Sequence, residues 1–587
     1  MSSLFAELKR RNVIRVGAAY AAVAWLLAQV ADTVLPAFEL PSGILQTFLI
    51  VIALGFPVTL VLAWIYELTP KGLRRTDDLP EADKIVPLSG RGLDFTIIGC
   101  MSVAIIFLVL DNYVWNRPDG EIDASIAILP FTTQFDDVSG NSDALYLGEG
   151  IADSLIMRLS RIPTLKVKSR AAISNSDEDV QSLGILLGVD AICMGRVIQR
   201  GDALEITAEL INIEDGSILW SEQYHRQTSS LLTIEGDISS KIASGLKLKL
   251  SVEEEEALAR TPTSNPAAHR LFIQGRYFWN RRSEESLRAS ADFYQRALSL
   301  DPNYAIAWSG LADSYLMLIG WGIEPLAEYA PRLVEAAERA IELDPTLAEP
   351  HATLAYFKTL YEWDWEGARR EFLLAIELNR NYSTAHHWYA FYLMTIGDGP
   401  ASIEEIMLAR EFEPLSPIIN AEVGYFYLFN RQYAQALEEL EKATLLDPAY
   451  HSTLSYLMRA YALLGQHDQA MATLRQWRNI VAGGSINTIY GSMVLPMLGL
   501  KEDAHELYQD ALEASEGQYI PPGLLGVLAA TIGERNAAFE HFDQALEERS
   551  LIASWLRDPL LDEIRDDPRF MQIFERMGLT APAPLEL

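Results

Sequence analysis

A short helix-end segment recurs in the second half of the chain, and its spacing constrains the fold more than any other feature. The segments are LSLDP, IELDP, IELNR, REFEP and TLLDP, at residues 298–302, 341–345, 376–380, 410–414 and 444–448. Successive segments are 43, 35, 34 and 34 residues apart. A unit of this size cannot bury its apolar face alone, so neighbouring units must stack. The sequence therefore predicts an all-α solenoid.

The 34-residue period, with proline after the second helix, resembles the tetratricopeptide repeat. The residues that fit the first and second helices of two units are Trp308, Leu311, Ala312, Tyr315, Ala436, Leu440, Ala443 and Pro448. The first interval is longer because of an insertion near GWGIEPLAE. We predict about eight units within a repeat domain at residues 263–587, in a right-handed solenoid that ends in a C-terminal cap.

The resemblance also predicts a protein-binding or peptide-binding groove. With units starting at 305, 348, 383, 417 and 451, the ninth position of each first helix should face inward, as it does in tetratricopeptide solenoids. Those residues are Asp313, Tyr356, Phe391, Tyr425 and Arg459. Three successive aromatics flanked by opposite charges would suit an extended peptide. The alternative, that these aromatics pack between helices, remains open from the sequence.

Upstream of the repeats, the pattern of apolar residues changes to one typical of an α/β domain. SIAILPF (125–131) predicts a strand and ALYLGEGIADSLIMRLSRI an amphipathic helix. TLKVKSR predicts a strand and EDVQSLGILLGV a helix. Three strands follow, AICMGRVIQR, ALEITAELINIE and SILWSEQYHR, with a hairpin signal at Asp215-Gly216, and then a closing helix. The order β-α-β-α-β-β-β-α predicts a compact domain at residues 116–256.

SIAILPF, LGEGIADSL, LGVDAICMGRV and DGSILWSEQY resemble the TolB amino-terminal-like (FlgO-like) domain of bacterial envelope proteins. The N-terminus also resembles a bacterial family that begins ELKRRNV, carries ALGFP and ELTPKG (53–57 and 67–72 here), and continues into this domain and tetratricopeptide repeats. In related architectures a cytoplasmic cyclase or winged-helix domain precedes the membrane segment. Here about 15 residues precede the first hydrophobic run, so neither a cyclase domain nor a winged-helix domain is expected in this chain.

Three hydrophobic runs occupy the N-terminal region, residues 1–115. The first, residues 16–31, follows a basic cluster and could be a signal peptide, a membrane span or a core helix. Residues 44–65 form 22 uncharged residues, enough to cross a bilayer core, and residues 95–110 precede Tyr113 and Trp115. The N-terminal tail and the 66–94 loop are both basic-rich, so both are expected in the cytoplasm. Three retained transmembrane helices satisfy this rule.

Charge and cysteine content exclude several classes of function. Residues 1–94 contain nine Lys/Arg and nine Asp/Glu, so the whole formal charge of −33 lies beyond residue 94. Such an acidic body disfavours nucleic-acid binding. Two cysteines cannot build a disulfide framework, and Cys193 is expected to be a small buried hydrophobe.

The sequence predicts no catalytic residues, metal site or cofactor. The nine histidines are scattered, and neither GxSxG, a P-loop nor CxxC occurs. Gly148-Glu149-Gly150 is interpreted as a helix-entry turn rather than a phosphate-binding loop. The acidic loop around Asp136 lacks the EF-hand spacing. The run Glu253–Glu256 is expected to be a solvated helix end.

Together these features predict a bacterial inner-membrane protein with a cytoplasmic N-terminus and residues 116–587 in the periplasm. The first functional hypothesis is an anchored scaffold whose repeat groove binds a protein or peptide. The alternative is a receptor that relays an envelope signal to a separate cytoplasmic partner, a cyclase or regulator. An enzyme is the least favoured class.

Reporter fusions test this topology. Fusions within residues 66–94 should report a cytoplasmic position, and fusions after residue 116 an exterior one, because positive loops stay inside. An active cytoplasmic reporter fused at residue 260 would contradict the scheme.

Overall fold

The computed structural model describes residues 20, 24, 56, 66–69, 72–75, 124–135, 145–168, 180–481, 486–517 and 519–580. They belong to two compact units, residues 1–121 and 122–587. In the first unit, β1 (Tyr66–Thr69) and β2 (Gly72–Arg75) form an antiparallel hairpin. Almost all of the three predicted membrane segments lies outside the described residues. Among the helices that are described, none combines the length and apolar character of a membrane span.

The second unit begins with the predicted α/β domain, and its element order is confirmed with one short strand added. The strands are β3 (Ala124–Ile128), β4 (Thr132–Phe135), β5 (Leu165–Lys168), β6 (Ala191–Arg200), β7 (Ala203–Asn212) and β8 (Ile218–Gln227). The helices are α1 (Leu145–Leu159), α2 (Val180–Leu187) and α3 (Leu231–Gly245). The added strand is β4, which continues the path of β3 along β6.

The sheet is mixed, with order β5-β3-β6-β7-β8 and β4 also paired to β6. Its first half is parallel because helical connections carry the chain between β3, β5 and β6. Its second half is an antiparallel meander with hairpins at Gly201 and Gly216, whose φ angles are +60° and +70°. Positive φ at these turns favours glycine.

Alternating burial shows why these segments form strands. Along β7 the side chains of Leu204, Ile206, Ala208 and Leu210 are buried, and the residues between them are more exposed. Cys193 on β6 is fully buried, and burial raises the pKa of its thiol to about 12. The prediction that Cys193 is a buried hydrophobe is confirmed.

The repeat region follows α4 (Val252–Ala259), which starts with a capping box of Ser251 and Glu254. Eight helical pairs are described beyond it. They are α5 (Pro266–Arg281) with α6 (Glu284–Leu300), α7 (Ala305–Gly320) with α8 (Leu326–Leu343), α9 (Glu349–Phe357) with α10 (Trp365–Leu378), α11 (Ser383–Ile396) with α12 (Gly399–Phe412), α13 (Pro417–Phe429) with α14 (Tyr433–Leu446), α15 (His451–Leu463) with α16 (His467–Ile480), α17 (Ile486–Ser492) with α18 (Lys501–Ser515), and α19 (Pro522–Ile532) with α20 (Arg535–Glu547).

The helix boundaries agree with the sequence period. The second helices of units one to five end within the segments that the repeat predicted, and the insertion near residue 321 lies in the loop between α7 and α8. The third unit departs from the pattern. Its first helix continues as a π-helical turn at Lys358–Glu362, which ends at Trp363 with a left-handed φ of 59°.

The C-terminal segment, residues 549–580, contains two 3-10 turns, Ala553–Trp555 and Pro559–Ile564, and α21 (Pro568–Arg576). It returns to much earlier repeats instead of extending the solenoid. Arg549 donates to the carbonyl of Glu362 at 3.1 Å, and Arg557 donates to the carbonyl of Thr395 at 2.8 Å. Trp365 donates its indole N–H to the carbonyl of Met577 at 2.8 Å.

Two buried polar networks join the α/β domain to the repeats. In the first, Glu235 of α3 accepts a hydrogen bond from Ser154 at 2.6 Å and lies 3.0 Å from Nε2 of His269. Nδ1 of His269 is 2.9 Å from the hydroxyl of Tyr304. This network links α1, α3 and the first two repeat units.

Asn381 forms the second network on the open edge of β5. Its Nδ2 donates to the carbonyls of Ser160 and Leu165 at 2.8 and 2.9 Å, and its Oδ1 accepts from the N–H of Val167 at 3.3 Å. Asn379 donates to Ser160 Oγ at 3.0 Å. The repeat side chains therefore satisfy backbone groups that an edge strand would leave unpaired.

The Gly148-Glu149-Gly150 motif lies inside α1, so the interpretation as a helix-entry turn is wrong. A Cβ at Gly148 would lie 1.9 Å from the carbonyl oxygen of Phe131, and one at Gly150 would lie 2.0 Å from Ile273 of α5. The glycines are needed because the helix packs against its neighbours without room for side chains.

The contacts of Asn381 with the edge of β5 can be tested against a second asparagine as a control. Asn303 stands at the same repeat position as Asn381, but its side chain is exposed. We expect Asn381→Ala to lower the free energy of unfolding by about 2 to 4 kcal/mol, because buried backbone groups lose their partners. Asn303→Ala should change it by less than about 0.5 kcal/mol. Denaturant titration of both variants measures the difference, and equal losses would contradict the role of Asn381.

Candidate functional site

The concave side of the solenoid contains a partly enclosed cavity of about 850 Å³. Its walls come from three parts of the second unit. The α/β domain contributes α1 residues such as Asp153 and Met157, and the C-terminal segment contributes Ser554 and Trp555. The first helices of the repeats supply most of the remaining lining. The cavity therefore exists only when the three parts are assembled.

One end of the cavity is built around Trp279 on α5. The guanidinium carbons of Arg276 and Arg282 lie 4.9 and 3.6 Å from the centre of its ring. Asp313 on α7 and Glu349 on α9 also line this part of the cavity. The charges of Arg276, Arg282 and Glu349 act on the Asp313 carboxylate. We call this part of the lining the arginine end.

Burial changes the acid-base properties of the arginine end. It raises the pKa of Asp313 to about 7, although a hydrogen bond from Thr353 and the charges of Arg276 and Arg282 oppose the change. Burial lowers the pKa of Arg282 to about 10, against the attraction of Asp313. Removing a charge from water is costly unless it is fully paired, and here the pairing is incomplete.

Several lining side chains carry buried polar atoms without a hydrogen-bond partner. These atoms are Arg276 Nε, Trp279 Nε1, Ser309 Oγ, Glu349 Oε2 and Trp477 Nε1. Glu349 is 6% exposed, so its free carboxylate oxygen is buried. Buried polar groups in proteins are normally paired, so these atoms are uncompensated polar groups within the cavity wall.

The other end of the cavity is aromatic. Tyr356 and Trp388 stack with ring centres 4.9 Å apart, and Tyr425 and Tyr456 stack at 4.8 Å. Phe391 lies between the pairs, 6.2 Å from Tyr356 and 6.3 Å from Tyr425. These spacings are those of favourable aromatic pairs, so the rings form one continuous wall across four repeats.

Glu422 on α13 lies in this aromatic end, and His387 Nε2 is 2.9 Å from its carboxylate. The adjacent His386 instead contacts Glu405 at 2.7 Å. The two neighbouring histidines thus point to different helical faces. In the described part of the chain no group of three His, Cys, Asp or Glu side chains is placed to hold a metal.

The five residues predicted to line the groove follow one path across the repeats. Asp313, Tyr356, Phe391 and Tyr425 all line the cavity. Asp313 and Tyr425 are nearly inaccessible to solvent, whereas Tyr356 and Phe391 are half-buried. Their role in binding a partner remains a prediction.

Arg459, the fifth predicted residue, is held by the C-terminal segment. It forms a two-point ion pair with Asp558, and both side chains are almost fully buried. Asp558 also begins the 3-10 turn at Pro559–Ile564 by accepting from the N–H of Leu560 at 2.8 Å, and Tyr425 OH lies 3.4 Å from its carboxylate. Part of the expected groove is thus occupied by the chain's own C-terminal segment.

Comparison with known families describes both domains. A model described as the HilA/YgeH-like transcriptional regulator second domain matches residues 122–242. A tetratricopeptide repeat model matches residues 428–484. The second unit is therefore a HilA/YgeH-like α/β domain followed by tetratricopeptide repeats. The repeat prediction is confirmed, and the repeats form a protein-binding region.

Among characterised proteins, the chain is 27% identical to putative adenylate cyclase 3 of Rhizobium meliloti over 237 residues, which are 39% of each protein. The chain thus spans about two fifths of the cyclase. It is 20% identical to the transcriptional regulator HilA of Salmonella typhimurium over 469 residues, 77% of this chain and 82% of the regulator. A structure of the human IFIT1 dimer with PPP-AAAA is 15% identical, covers 55% of this chain and 83% of that one, and has a TM-score of 0.33.

Tyr425 offers a test of the aromatic wall. Its ring is packed against neighbours on several sides, so Tyr425→Ala should lower the free energy of unfolding by about 3 to 5 kcal/mol. Tyr425→Phe removes the contact with Asp558 alone and should cost about 1 kcal/mol. Denaturant titration measures both. A loss of less than about 1 kcal/mol for the alanine variant would contradict the packing of this ring.

Proposed function

We propose that this chain is a signal receptor that binds a protein or peptide ligand and relays its occupancy to a separate partner, a nucleotide cyclase or a transcription regulator. The observation that carries the proposal is the cavity, whose wall is shared by the α/β domain, the repeats and the C-terminal segment. A ligand in such a cavity contacts all three parts. It would therefore favour one arrangement of them over others.

The α/β domain is positioned to respond. Asp153 lines the cavity, and the next residue, Ser154, donates to Glu235 in the network that holds His269. Ser160 also lines the cavity and accepts hydrogen bonds from Asn379 and Asn381. The second half of α1 and the residue that follows it thus contact both the cavity and the repeats. Packed interfaces of this kind have a few discrete arrangements. A small shift at the ligand can therefore move the interface from one arrangement to another.

The relatives support a regulatory role over a purely structural one. One is named an adenylate cyclase and another a transcriptional regulator, and the alignment with the regulator includes most of this chain. The formal charge of −33 beyond residue 94 disfavours nucleic-acid binding by the body of this protein. We therefore propose that a separate partner carries the output.

The proposal also includes anchoring of the chain in a membrane. The three hydrophobic runs within residues 1–115 would hold the chain in a bacterial inner membrane with its N-terminus inside, and the 66–94 loop would meet the cytoplasmic partner. A scaffold would use the same binding region without any output. Both hypotheses predict a captured partner, and they differ in whether occupancy changes a signal.

A cavity-filling variant of the full chain tests the relay. Thr384 is half-buried in the cavity wall, whereas Thr261 is exposed in the linker before α5. In cells we expect deletion of the chain to change the cyclic-nucleotide level or a defined set of transcripts. Thr384→Trp should alter the same readout because the indole fills ligand space, and Thr261→Trp should behave as wild type.

If deletion leaves both readouts unchanged while the full chain still captures a partner, the scaffold hypothesis is favoured. If Thr384→Trp and Thr261→Trp have equal effects, the cavity does not carry the signal. Protein levels and melting temperatures of both variants must match wild type for the comparison to count.

A further inference from the structure

Glu422 shares the cavity lining with tyrosines from the third, fifth and sixth repeats. Burial, followed by the negative charge of Glu422, raises the pKa of Tyr356 and Tyr456. The same charge acts on Tyr425 and Tyr450, and all four rings line the cavity with Glu422. We call Glu422 and these four residues the tyrosine box.

The Glu422 carboxylate has unused hydrogen-bonding capacity. Its side chain is 18% exposed, and it contacts His387 at 2.9 Å. An ionised carboxylate offers about four acceptor sites, so one contact with an imidazole leaves room for a further donor. A carboxylate held among aromatic rings is the environment that a guanidinium or ammonium group favours, since it can pair with the charge and lie over a ring face.

The charge of the whole cavity points to the same kind of ligand. Six acidic side chains contribute to its lining: Asp153, Asp313, Glu349, Glu413, Glu422 and Asp447. Three basic ones do: Arg276, Arg281 and Arg282. The acidic side chains outnumber the basic ones, although Asp313, whose pKa is raised to about 7, carries only part of its charge near neutral pH.

We propose that the cavity binds an extended peptide through an arginine or lysine side chain, with the cationic group held between Glu422 and the tyrosine rings. This inference rests on the proposed function, in which the cavity binds a protein or peptide. The inference adds the chemical class of the side chain that is bound. The lining comes from successive repeat helices, so the space is elongated and suits a peptide backbone, whereas a small cation would fill the tyrosine box alone.

Two labelled peptides that differ in one charge test the proposal on the purified full chain. One is acetyl-Ala-Ala-Arg-Ala-Ala-amide, and the other has citrulline in place of arginine, which keeps the shape but is neutral. We expect fluorescence anisotropy to show the arginine peptide binding at least about tenfold more tightly, because a cation over aromatic rings beside a carboxylate is strongly favoured.

A matched pair of variants locates the effect. Glu422→Gln should reduce the preference for arginine to about twofold or less. Glu438→Gln, a change of the same charge at an exposed site on α14, should leave the preference intact. Agmatine, a free guanidinium compound, should compete at least about tenfold more weakly than the arginine peptide, since it lacks the backbone that the rest of the cavity accommodates.

Three results would overturn the proposal. They are equal or undetectable binding of the two peptides by wild type, an unchanged preference in Glu422→Gln, and agmatine binding as tightly as the arginine peptide. If Glu422→Gln fails to fold, the arginine and citrulline comparison on wild type still decides. A clear arginine preference without any cellular readout would contradict the relay alone, and an intact relay without that preference would contradict the tyrosine box alone.

Discussion

The structure of the second unit depends on a buried polar interface between the α/β domain and the repeats. Asn381 pairs with the open edge of β5, and the contacts of His269 with Glu235 and Tyr304 join α3 to the first two repeat units. Buried hydrogen-bonding groups are costly when unpaired and directional when paired. The interface therefore sets one orientation of the domain on the solenoid. Asp153 and Met157 enter the cavity wall because α1 is held in that orientation.

A second constraint closes the cavity from the opposite side. Arg459 and Asp558 form a nearly inaccessible ion pair, and Arg431 makes two hydrogen bonds to Asp562 at 2.6 and 2.7 Å. A buried pair contributes little net stability over an apolar pair of similar volume, but breaking it leaves a charge without a partner. Its main effect is specificity of position. It places the C-terminal segment against α13 and α15, so Trp555 and Ser554 become part of the lining.

These two constraints give the cavity its mixed chemistry. Repeats that stack on each other alone would leave an open groove with its aromatic wall facing water. Asp313 is nearly inaccessible in this lining, and its burial raises its pKa by disfavouring the charged carboxylate. Closure also keeps Arg276 and Arg282 close to acidic partners at one end. The arginine end and the tyrosine box come largely from different repeats, but the charge of Arg282 acts on two members of the box, Tyr356 and Tyr450.

The sequence by itself determined the period of the repeats, the ends of five of their second helices and the order of elements in the α/β domain apart from β4. These properties arise from side-chain spacing within one unit, as in the alternation along β7 or the recurring helix ends. It also placed Asp313, Tyr356, Phe391 and Tyr425 on one path, since equivalent repeat positions face the same way. Only the tertiary structure decided that Asn381 meets β5, that Arg459 meets Asp558 and that the groove closes into a cavity. Those partners are about 100 to 220 residues apart, and no local pattern encodes a contact between side chains that stacking alone brings together.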